Sequence, residues 1–254
     1  MSSIEFVELA AARTARGLRM VVPRQVPSPW TEAAKGMFRV QGASVLAVRS
    51  SRDPELAAWT RAPNAPVVFY EDEPPRTVWS QILALAVRLG PPGALVPEDV
   101  DRRAALVGMI HELAGEGGLG WSARLLMIHA SFASNGARGF PLPIAKYLAT
   151  SYGYAPDRIE AAGARVREVL DALARRLGTQ DYFDGDKLSA LDIYSATFLT
   201  PLSVVEDADC PDFLPVLKSA FATAREDLGG AVPAALMDHR RRMFERHLAW
   251  PIQL

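Results

Sequence analysis

Short apolar runs alternate with amphipathic segments over the first 90 residues of the chain. Three of the runs are rich in β-branched side chains and are bounded by Gly, Pro, Ser or Asp, which is typical of short buried strands. They cover residues 18–22, 44–48 and 66–70. Helices are predicted for the segments that follow, at 30–41, 54–61 and 78–89. This alternation, with an edge strand expected near residues 76–77, predicts a mixed sheet with helices on its faces.

The pattern becomes helical over the rest of the chain. Between residues 156 and 177 apolar side chains recur every three or four positions, and Gly178 supplies a stop signal. Similar patterns predict further helices at 99–114, 122–134, 142–151, 189–205, 212–227 and 234–248. Because no strand is predicted among them, these segments indicate an all-α helical bundle.

The two patterns meet at the sequence Gly-Pro-Pro-Gly, residues 90–93. Two consecutive prolines flanked by glycines cannot continue a helix and are typical of a linker. We therefore predict a first domain at residues 18–91 and a second domain at residues 96–254. Residues 1–17 form an N-terminal extension, in which Phe6, Leu9 and Ala10 stand at helical spacing and predict a short helix.

Composition excludes several classes of protein. The 254 residues include 28 basic and 29 acidic side chains, and a formal net charge of −1 provides no global field for binding nucleic acid. Cys210 is the only cysteine, so the sequence allows no intramolecular disulfide and no multi-thiolate metal site, which fits a reducing cytoplasm. The sequence has neither a secretory signal pattern nor roughly 18 consecutive apolar residues, so no membrane partner is expected.

Two common kinds of catalytic site are not expected. The four histidines are too widely spaced for a recognised ligand motif, so no metal is expected. A serine hydrolase is not predicted either, because no G-x-S-x-G motif is present and the first domain has no histidine.

Two features near the end of the sequence are given structural interpretations. Arg240, Arg241 and Arg242 lie on a predicted helix and are expected to form a solvated face that pairs with Glu245. Trp250 and the apolar residues around it predict that the last residues dock on the protein.

Residues 185–194 contain the most specific local motif of the chain, Gly-Asp-Lys-Leu-Ser-Ala-Leu-Asp-Ile-Tyr. Ser189 and Asp192 form an S-x-x-D capping box, which satisfies free backbone donors at the start of a helix. The box predicts a structural role, and its helix is expected to bury one face until Pro201 kinks or loosens the far end. A capping box preceded by Gly-Asp at the start of a central helix resembles the all-α domain of the glutathione transferase superfamily.

The resemblance extends over nearly the whole chain and implies a definite architecture. It implies a thioredoxin-like α/β domain, a short linker and then the all-α helical bundle domain, with glutathione bound as a co-substrate by the first domain. By the same resemblance, the protein is expected to be a cytoplasmic homodimer. The implied reaction joins the glutathione thiolate to an electrophilic small molecule, or is related lyase or isomerase chemistry.

Ser28 is the residue that the resemblance places at the reacting thiol. The sequence Pro27-Ser28-Pro29-Trp30 lies between the first predicted strand and helix, where the tau and omega classes have Ser or Cys before a proline and an aromatic residue. The implied role of Ser28 is to stabilise the glutathione thiolate by a hydrogen bond, together with the helix N-terminus. A purely structural N-cap role explains the same residues equally well.

Two further segments resemble parts of the superfamily that bind glutathione. Asn64-Ala65-Pro66 resembles the strand-initiating cis-proline of the superfamily, which implies that Ala65 and Pro66 register the backbone of the peptide ligand. Ser80 stands at the start of the third helix, where the resemblance implies that its hydroxyl and the free backbone N–H groups beside it bind the γ-glutamyl carboxylate. Gln81 follows it, and Gln81 or Arg61 is the candidate to substitute in part for polar groups that the superfamily has and this sequence lacks.

Trp79 departs from the superfamily pattern. It replaces the Glu or Asp that would hold the amino group of the ligand, and the segment before Pro66 lacks the lysine with which many classes contact the glycyl carboxylate. A buried tryptophan beside a capping serine is an alternative interpretation of Trp79 and Ser80.

The electrophilic substrate is expected to bind against the helical domain. In the superfamily this substrate lies between the two domains, which makes Trp30, Glu116, Trp121 and Arg124 the candidates for lining its site. The alternative for the segment around Trp121 is a helix-breaking loop with a packed tryptophan and a solvated arginine.

Two functions from different classes remain open. Conjugation of glutathione is the first, whereas thiol transfer like that of the omega class is not expected because the first domain has no cysteine. The second is a non-catalytic interaction or ligand-binding module with the same fold, which Trp79 and the missing lysine support.

Overall fold

The computed structural model describes residues 4–254 and begins with a mixed β-sheet of four strands within that range. The strands are β1 (Ile4–Phe6), β2 (Leu18–Val22), β3 (Val45–Arg49) and β4 (Val67–Tyr70), in the order β1-β3-β2-β4. β3 pairs in parallel with both β1 and β2, whereas β4 is antiparallel to β2. The sequence pattern predicted β2 to β4 within one residue at each end.

Two expectations for this part of the chain are wrong in detail. Phe6 belongs to β1 rather than to a helix, because the backbone of Ile4–Phe6 pairs with β3; helix α1 (Leu9–Thr14) starts only at Leu9. The expected edge strand near residues 76–77 is reduced to one antiparallel bridge between Arg76 and Val68. Pro74 and Pro75 precede the bridge and have no N–H to extend it. Residues 1–3 of the predicted extension lie outside the described residues.

Helices cover both faces of the sheet. They are α2 (Pro29–Val40), α3 (Pro54–Thr60) and α4 (Trp79–Leu89). Because side chains alternate along a strand, Met20 and Val22 of β2 pack with α2 and α4, whereas Val21 packs with α1 and α3.

The chain is helical after residue 99, as predicted. The helices are α5 (Val100–Ala114), α6 (Leu119–Ala133), α7 (Leu142–Tyr152), α8 (Ile159–Leu177), α9 (Ala190–Phe198), α10 (Pro215–Leu228) and α11 (Ala234–Arg246). α6 starts three residues earlier than predicted, so Trp121 and Arg124 lie on a helix and not in a helix-breaking loop. Within residues 4–254, no helix is both long enough and apolar enough to cross a bilayer.

Helix α9 lies at the centre of the helical part. The predicted capping box is confirmed: the Ser189 N–H donates to Asp192 Oδ2 at 2.8 Å, and the Ser189 hydroxyl donates to the same oxygen at 2.6 Å. The expectation of one buried face is wrong, because every residue from Ala190 to Phe198 is buried. The helix ends at Phe198, and Pro201 lies in the short 3-10 turn Thr200–Leu202.

The expected solvated face of α11 is only partly right, because Arg241 is exposed but Arg240 is not. Arg240 is buried, with its guanidinium carbon 4.7 Å from the Phe244 ring centroid and 6.0 Å from that of Trp250. Burial lowers the pKa of Arg240 to about 10. Arg241 pairs with Asp238 rather than with Glu245.

The predicted docking of the last residues is confirmed. Ile252 and Leu254 are buried, and two basic side chains of the first part hold the neighbouring carbonyl groups. Lys35 Nζ donates to Gln253 O at 2.6 Å, and Arg49 Nε donates to Leu254 O at 2.8 Å.

One hydrophobic core extends across the predicted joint between the domains. Leu95 and Val96 are buried in it, and Leu95 O accepts a hydrogen bond from Ala190 N at the start of α9. The division at residues 90–97 stays a prediction, since the two parts share this core.

Candidate functional site

A cavity of about 430 Å³ lies where the N-terminus of α2 meets helices α5, α6 and α7. Its wall combines apolar and aromatic side chains with hydroxyl, amide and guanidinium groups. The lining residues are Pro23, Val26, Ser28, Trp30, Ser50, Pro63, Asn64, Ala65, Pro66, Thr77, Ala114, Trp121, Arg124, Tyr147, Leu148, Ser151 and Tyr152. Mixed walls of this kind, with a few convergent polar groups, are typical of small-molecule sites.

Ser28 is placed at this cavity by the start of α2. It is the N-cap residue, with extended backbone angles of −68° and 123°, and Glu32 N donates to Ser28 O at 2.8 Å. Pro29 at the first helical position has no N–H, so the free donors of this turn are the amides of Trp30 and Thr31. The Ser28 hydroxyl makes no capping bond to the described backbone, which leaves it available to a ligand.

The segment before β4 reaches the same cavity. The Ala65–Pro66 peptide bond is cis, and both residues line the cavity together with Asn64. The structure therefore brings Ser28, Ala65 and Pro66 together at one wall.

Trp30 connects the two parts of the molecule beside Ser28. Its Nε1–H donates to Ala114 O at the end of α5 over 2.9 Å, and its ring meets Phe198 edge-on with centroids 4.9 Å apart. A half-buried ring held by one hydrogen bond and one aromatic contact forms a fixed wall.

Arg124 lies on α6 close to the Trp30 ring. Its guanidinium carbon is 5.7 Å from the Trp30 centroid, 5.6 Å from that of Phe140 and 5.4 Å from that of Tyr152. Arg124 is the only formally charged side chain in the cavity wall among residues 4–254.

Trp121 separates this cavity from a second one of about 650 Å³. Its ring packs against Tyr152 with centroids 4.5 Å apart, and both residues line both cavities. Glu116 lines only the second cavity, beside Arg158. Four residues were candidates for lining the electrophile site. Trp30, Trp121 and Arg124 line the first cavity, whereas Glu116 does not.

Ser80 and Gln81 are not brought to the cavity. Both are exposed on the first turn of α4 and are absent from the described cavity wall. Trp79 does not fill the cavity, because its ring packs against Tyr194 and His111 with centroids 6.2 and 6.0 Å away. Thr77, just before α4, is the residue of this segment that lines the cavity.

Sequence reasoning missed the contribution of α7. The Tyr147 hydroxyl donates to Asn64 Oδ1 at 2.8 Å, so the helical part touches the loop before the cis-proline. Tyr147 with Ser151, and Leu148 with Tyr152, are spaced by four residues and line the cavity from α7. That spacing on a predicted helix was the available signal.

Three of the four histidines, His129, His239 and His247, make side-chain hydrogen bonds within the protein. His239 Nε2 lies 2.9 Å from Asp192 Oδ1, and His247 Nε2 lies 2.9 Å from the Tyr182 hydroxyl. Burial lowers the pKa of His247. No group of three potential metal ligands occurs within residues 4–254.

Part of the helical domain resembles a known family in sequence. Residues 156–228 match the family model described as glutathione S-transferase, C-terminal domain. None of the curated proteins matches the sequence.

Solved structures of similar fold are numerous. A glutathione S-transferase domain-containing protein from Marinobacter aquaeolei has a TM-score of 0.62 at 16% identity, over 90% of this chain and 98% of that one. A glutathione transferase family member from Pseudomonas fluorescens, with two glutathione bound, has a TM-score of 0.58 at 13% identity over 92% and 91%. The tau class transferase from mango has a TM-score of 0.51 at 19% identity over 90% and 96%.

These identities are low, so the similarity concerns the fold. The mixed sheet followed by a helical bundle is the architecture that the sequence predicted. The chain therefore has the glutathione transferase fold, and the resemblance to the glutathione transferase superfamily is confirmed by the fold and by the match over residues 156–228.

Proposed function

We propose that this protein joins the thiolate of glutathione to an electrophilic small molecule. The observation that carries this proposal is the position of Ser28. Its hydroxyl has no capping bond, stands at the N-terminus of a 12-residue helix, and shares a cavity with Ala65 and Pro66.

The role proposed for Ser28 is to favour the ionised form of the bound thiol. A thiol is mostly protonated near neutral pH, and the thiolate is the nucleophile. A donated hydrogen bond from Ser28, with the free amides of Trp30 and Thr31, stabilises negative charge at this point. Ser28 itself forms no covalent bond in this scheme.

Glutathione is proposed to lie between Ser28 and the loop before β4. Ala65 and Pro66 would contact its peptide backbone, and the tripeptide would extend toward Thr77 and the first turn of α4, where Ser80 and Gln81 stand. Two proteins of similar fold, from Pseudomonas fluorescens and Methylobacillus flagellatus, were crystallised with glutathione bound.

The electrophile is proposed to lie on the other side of Trp30. Trp121 and Tyr152 present aromatic rings to the cavity, and Arg124 presents its guanidinium group. The chain is further proposed to work as a cytoplasmic homodimer, which its resemblance to the superfamily and its single buried cysteine support.

The Ser28→Ala variant tests the reaction. We expect kcat/KM for conjugation to fall by about a hundredfold, the usual order for losing one donor to a developing or bound anion. We also expect the rate to rise only at higher pH, because less of the bound thiol ionises near neutrality. Ser28→Thr, which keeps the hydroxyl, and Ser219→Ala on the exposed surface of α10 serve as controls. An unchanged pH profile in Ser28→Ala removes Ser28 from the mechanism.

A non-catalytic ligand-binding module is the second candidate. The observation in its favour is that Trp79 supplies no carboxylate and that Ser80 and Gln81 do not line the cavity. Addition of millimolar glutathione should raise the melting temperature if the tripeptide binds, and Ser80→Ala should reduce that rise if its hydroxyl takes part. The absence of any rise favours the non-catalytic module.

A further inference from the structure

We propose that the electrophile carries a carboxylate on an aromatic ring and that Arg124 binds this carboxylate. The proposal rests on the proposed conjugation reaction and defines the chemical class of its second substrate.

Arg124 has an unusual environment for an arginine. Trp30, Phe140 and Tyr152 surround its guanidinium at less than 6 Å from each ring centroid. Its Nε is buried without a hydrogen-bond partner, and no carboxylate within residues 4–254 forms an ion pair with it. On the neighbouring helix α8, Arg165 by contrast forms ion pairs with Glu112 and Glu168.

The chemistry of the guanidinium indicates what would complete this site. Arginine presents planar donors that match a carboxylate in a two-point contact, and it stacks on aromatic faces while remaining charged. A buried donor without a partner costs free energy, which an incoming acceptor recovers. No acidic side chain lines the cavity among the described residues, so an anion that pairs with Arg124 there would come from a ligand.

Two features favour the electrophile over glutathione as the source of this anion. The Arg124 guanidinium on α6 lies near Phe140 and Tyr152 of the helical part, whereas Ala65 and Pro66 belong to the first part of the chain. Trp30 and Trp121 form flat aromatic walls near Arg124, which suit a planar substrate.

The reaction with such a substrate balances without a further reagent. The glutathione sulfur attacks the ring carbon that bears a chlorine, and a carbon–sulfur bond forms. The carbon–chlorine bond breaks and chloride leaves with its electron pair, while the thiol proton passes to solvent. The carboxylate takes no part in bond making and serves only to bind and orient the ring.

A matched pair of substrates tests the proposal. We would use a chloro-dinitrobenzoate with chlorine para to the carboxyl group, and the corresponding benzamide, which has the same shape without the charge. The wild-type protein should prefer the benzoate in kcat/KM by about tenfold or more, since hydrogen bonds to charged groups are the strong ones. Arg124→Met should abolish this preference, so that the ratio of kcat/KM for the benzoate to that for the benzamide falls to about one.

Arg167→Gln is the matched control, because Arg167 is exposed on α8 and belongs to neither cavity wall. It removes the same formal charge and should leave the preference unchanged. If Arg124→Met does not fold, salt provides a second measurement on the wild-type protein. The preference for the benzoate should decrease as ionic strength rises, whereas reaction with the benzamide should not change.

Binding of dinitrobenzoate and dinitrobenzamide, which have no leaving group, separates this proposal from the proposed function. Isothermal titration calorimetry would report binding without glutathione. Tighter binding of the benzoate that depends on Arg124 supports the carboxylate site even if no conjugation occurs. Equal binding of both compounds, or a preference that persists in Arg124→Met, overturns it. Weakened glutathione binding alone in Arg124→Met also overturns it and assigns Arg124 to the tripeptide.

Discussion

Gly120 shows how a single residue determines the shape of the cavity wall. It lies in the first turn of α6, where that helix approaches Trp30 and Phe198. A Cβ atom at position 120 would be 2.5 Å from Phe198 Cε1 and 2.9 Å from Trp30 Cη2. Only glycine allows this approach, so the position of Trp30 depends on it.

We expect Gly120→Ala to lower the free energy of unfolding by about 1–3 kcal/mol, because the added methyl group overpacks two aromatic rings. Chemical denaturation would measure this change, and the emission of Trp30 should shift as its ring is displaced. Gly108→Ala on α5 is the control, since a Cβ there meets nothing within 4 Å and should stabilise the helix by up to about 1 kcal/mol. Equal effects of the two variants contradict this account.

At the residue scale, the sequence was informative where chemistry is local. Ser28 before Pro29 could be recognised from capping rules, and the cis-proline from its resemblance to the superfamily. The contact of Tyr147 with Asn64 could not, because the two residues are far apart in the sequence and the hydrogen bond depends on how α7 lies against the first part.

The capping box of α9 illustrates how one side chain organises a whole element. Asp192 accepts hydrogen bonds from Ser189 N at 2.8 Å, from Phe183 N at 2.9 Å and from the Ser189 hydroxyl at 2.6 Å. His239 Nε2 of α11 lies 2.9 Å from the same carboxylate. The start of α9, the preceding loop and α11 are therefore fixed at one fully buried point.

We expect Asp192→Ala to destabilise the protein by on the order of 3 kcal/mol or more, because several buried donors lose their partner at once. Asp53→Ala is the comparison: Asp53 caps α3 by accepting from Glu55 N at 2.8 Å on the exposed surface. Its loss should cost about 1 kcal/mol. Urea denaturation would measure the free energy of unfolding of both variants. If Asp192→Ala lowers it no more than Asp53→Ala does, Asp192 does not organise the start of α9.

At the element scale, the periodicity of apolar residues predicted most helices and strands. It did not predict features that depend on strand pairing or on burial by distant residues. β1 forms because β3 offers its edge to Ile4–Phe6, which no local pattern in the extension reveals. Arg240 is buried because Phe244 and Trp250 enclose it, although its sequence neighbours are basic.

At the scale of the whole molecule, the larger of two hydrophobic cores reaches from one face of the sheet to α11. Cys210 is fully buried in it, and burial raises the pKa of its thiol to about 12. A thiol in this environment is neither ionised near neutral pH nor accessible. Reactivity of the single cysteine therefore reports opening of the core.

Labelling of Cys210 with a thiol reagent near pH 8 should be at least about a thousandfold slower in the folded protein than in concentrated guanidinium chloride, because it requires opening of the core. Free glutathione under the same conditions is the control for the reagent. Comparable labelling rates for folded and unfolded protein mean that Cys210 is exposed in solution. The rate should also increase in Gly120→Ala, if that variant weakens the same core.

At this scale the sequence predicted the two-part architecture and the docking of the last residues. It did not predict that the two parts share one hydrophobic core. The Gly-Pro-Pro-Gly sequence at residues 90–93 marks a change of secondary structure, but packing continues across it.

The docking of the last residues places the two ends of the described chain side by side. Ile4 and Gln253 line the same small cavity of about 20 Å³, and Arg49, which holds Leu254 O, lies 3.9 Å from the ring centroid of Phe6. A short peptide could therefore join these ends into a ring. The chain could then be reopened at the exposed turn around Gly153 as a circular permutant, with β1 and the final residues kept in place.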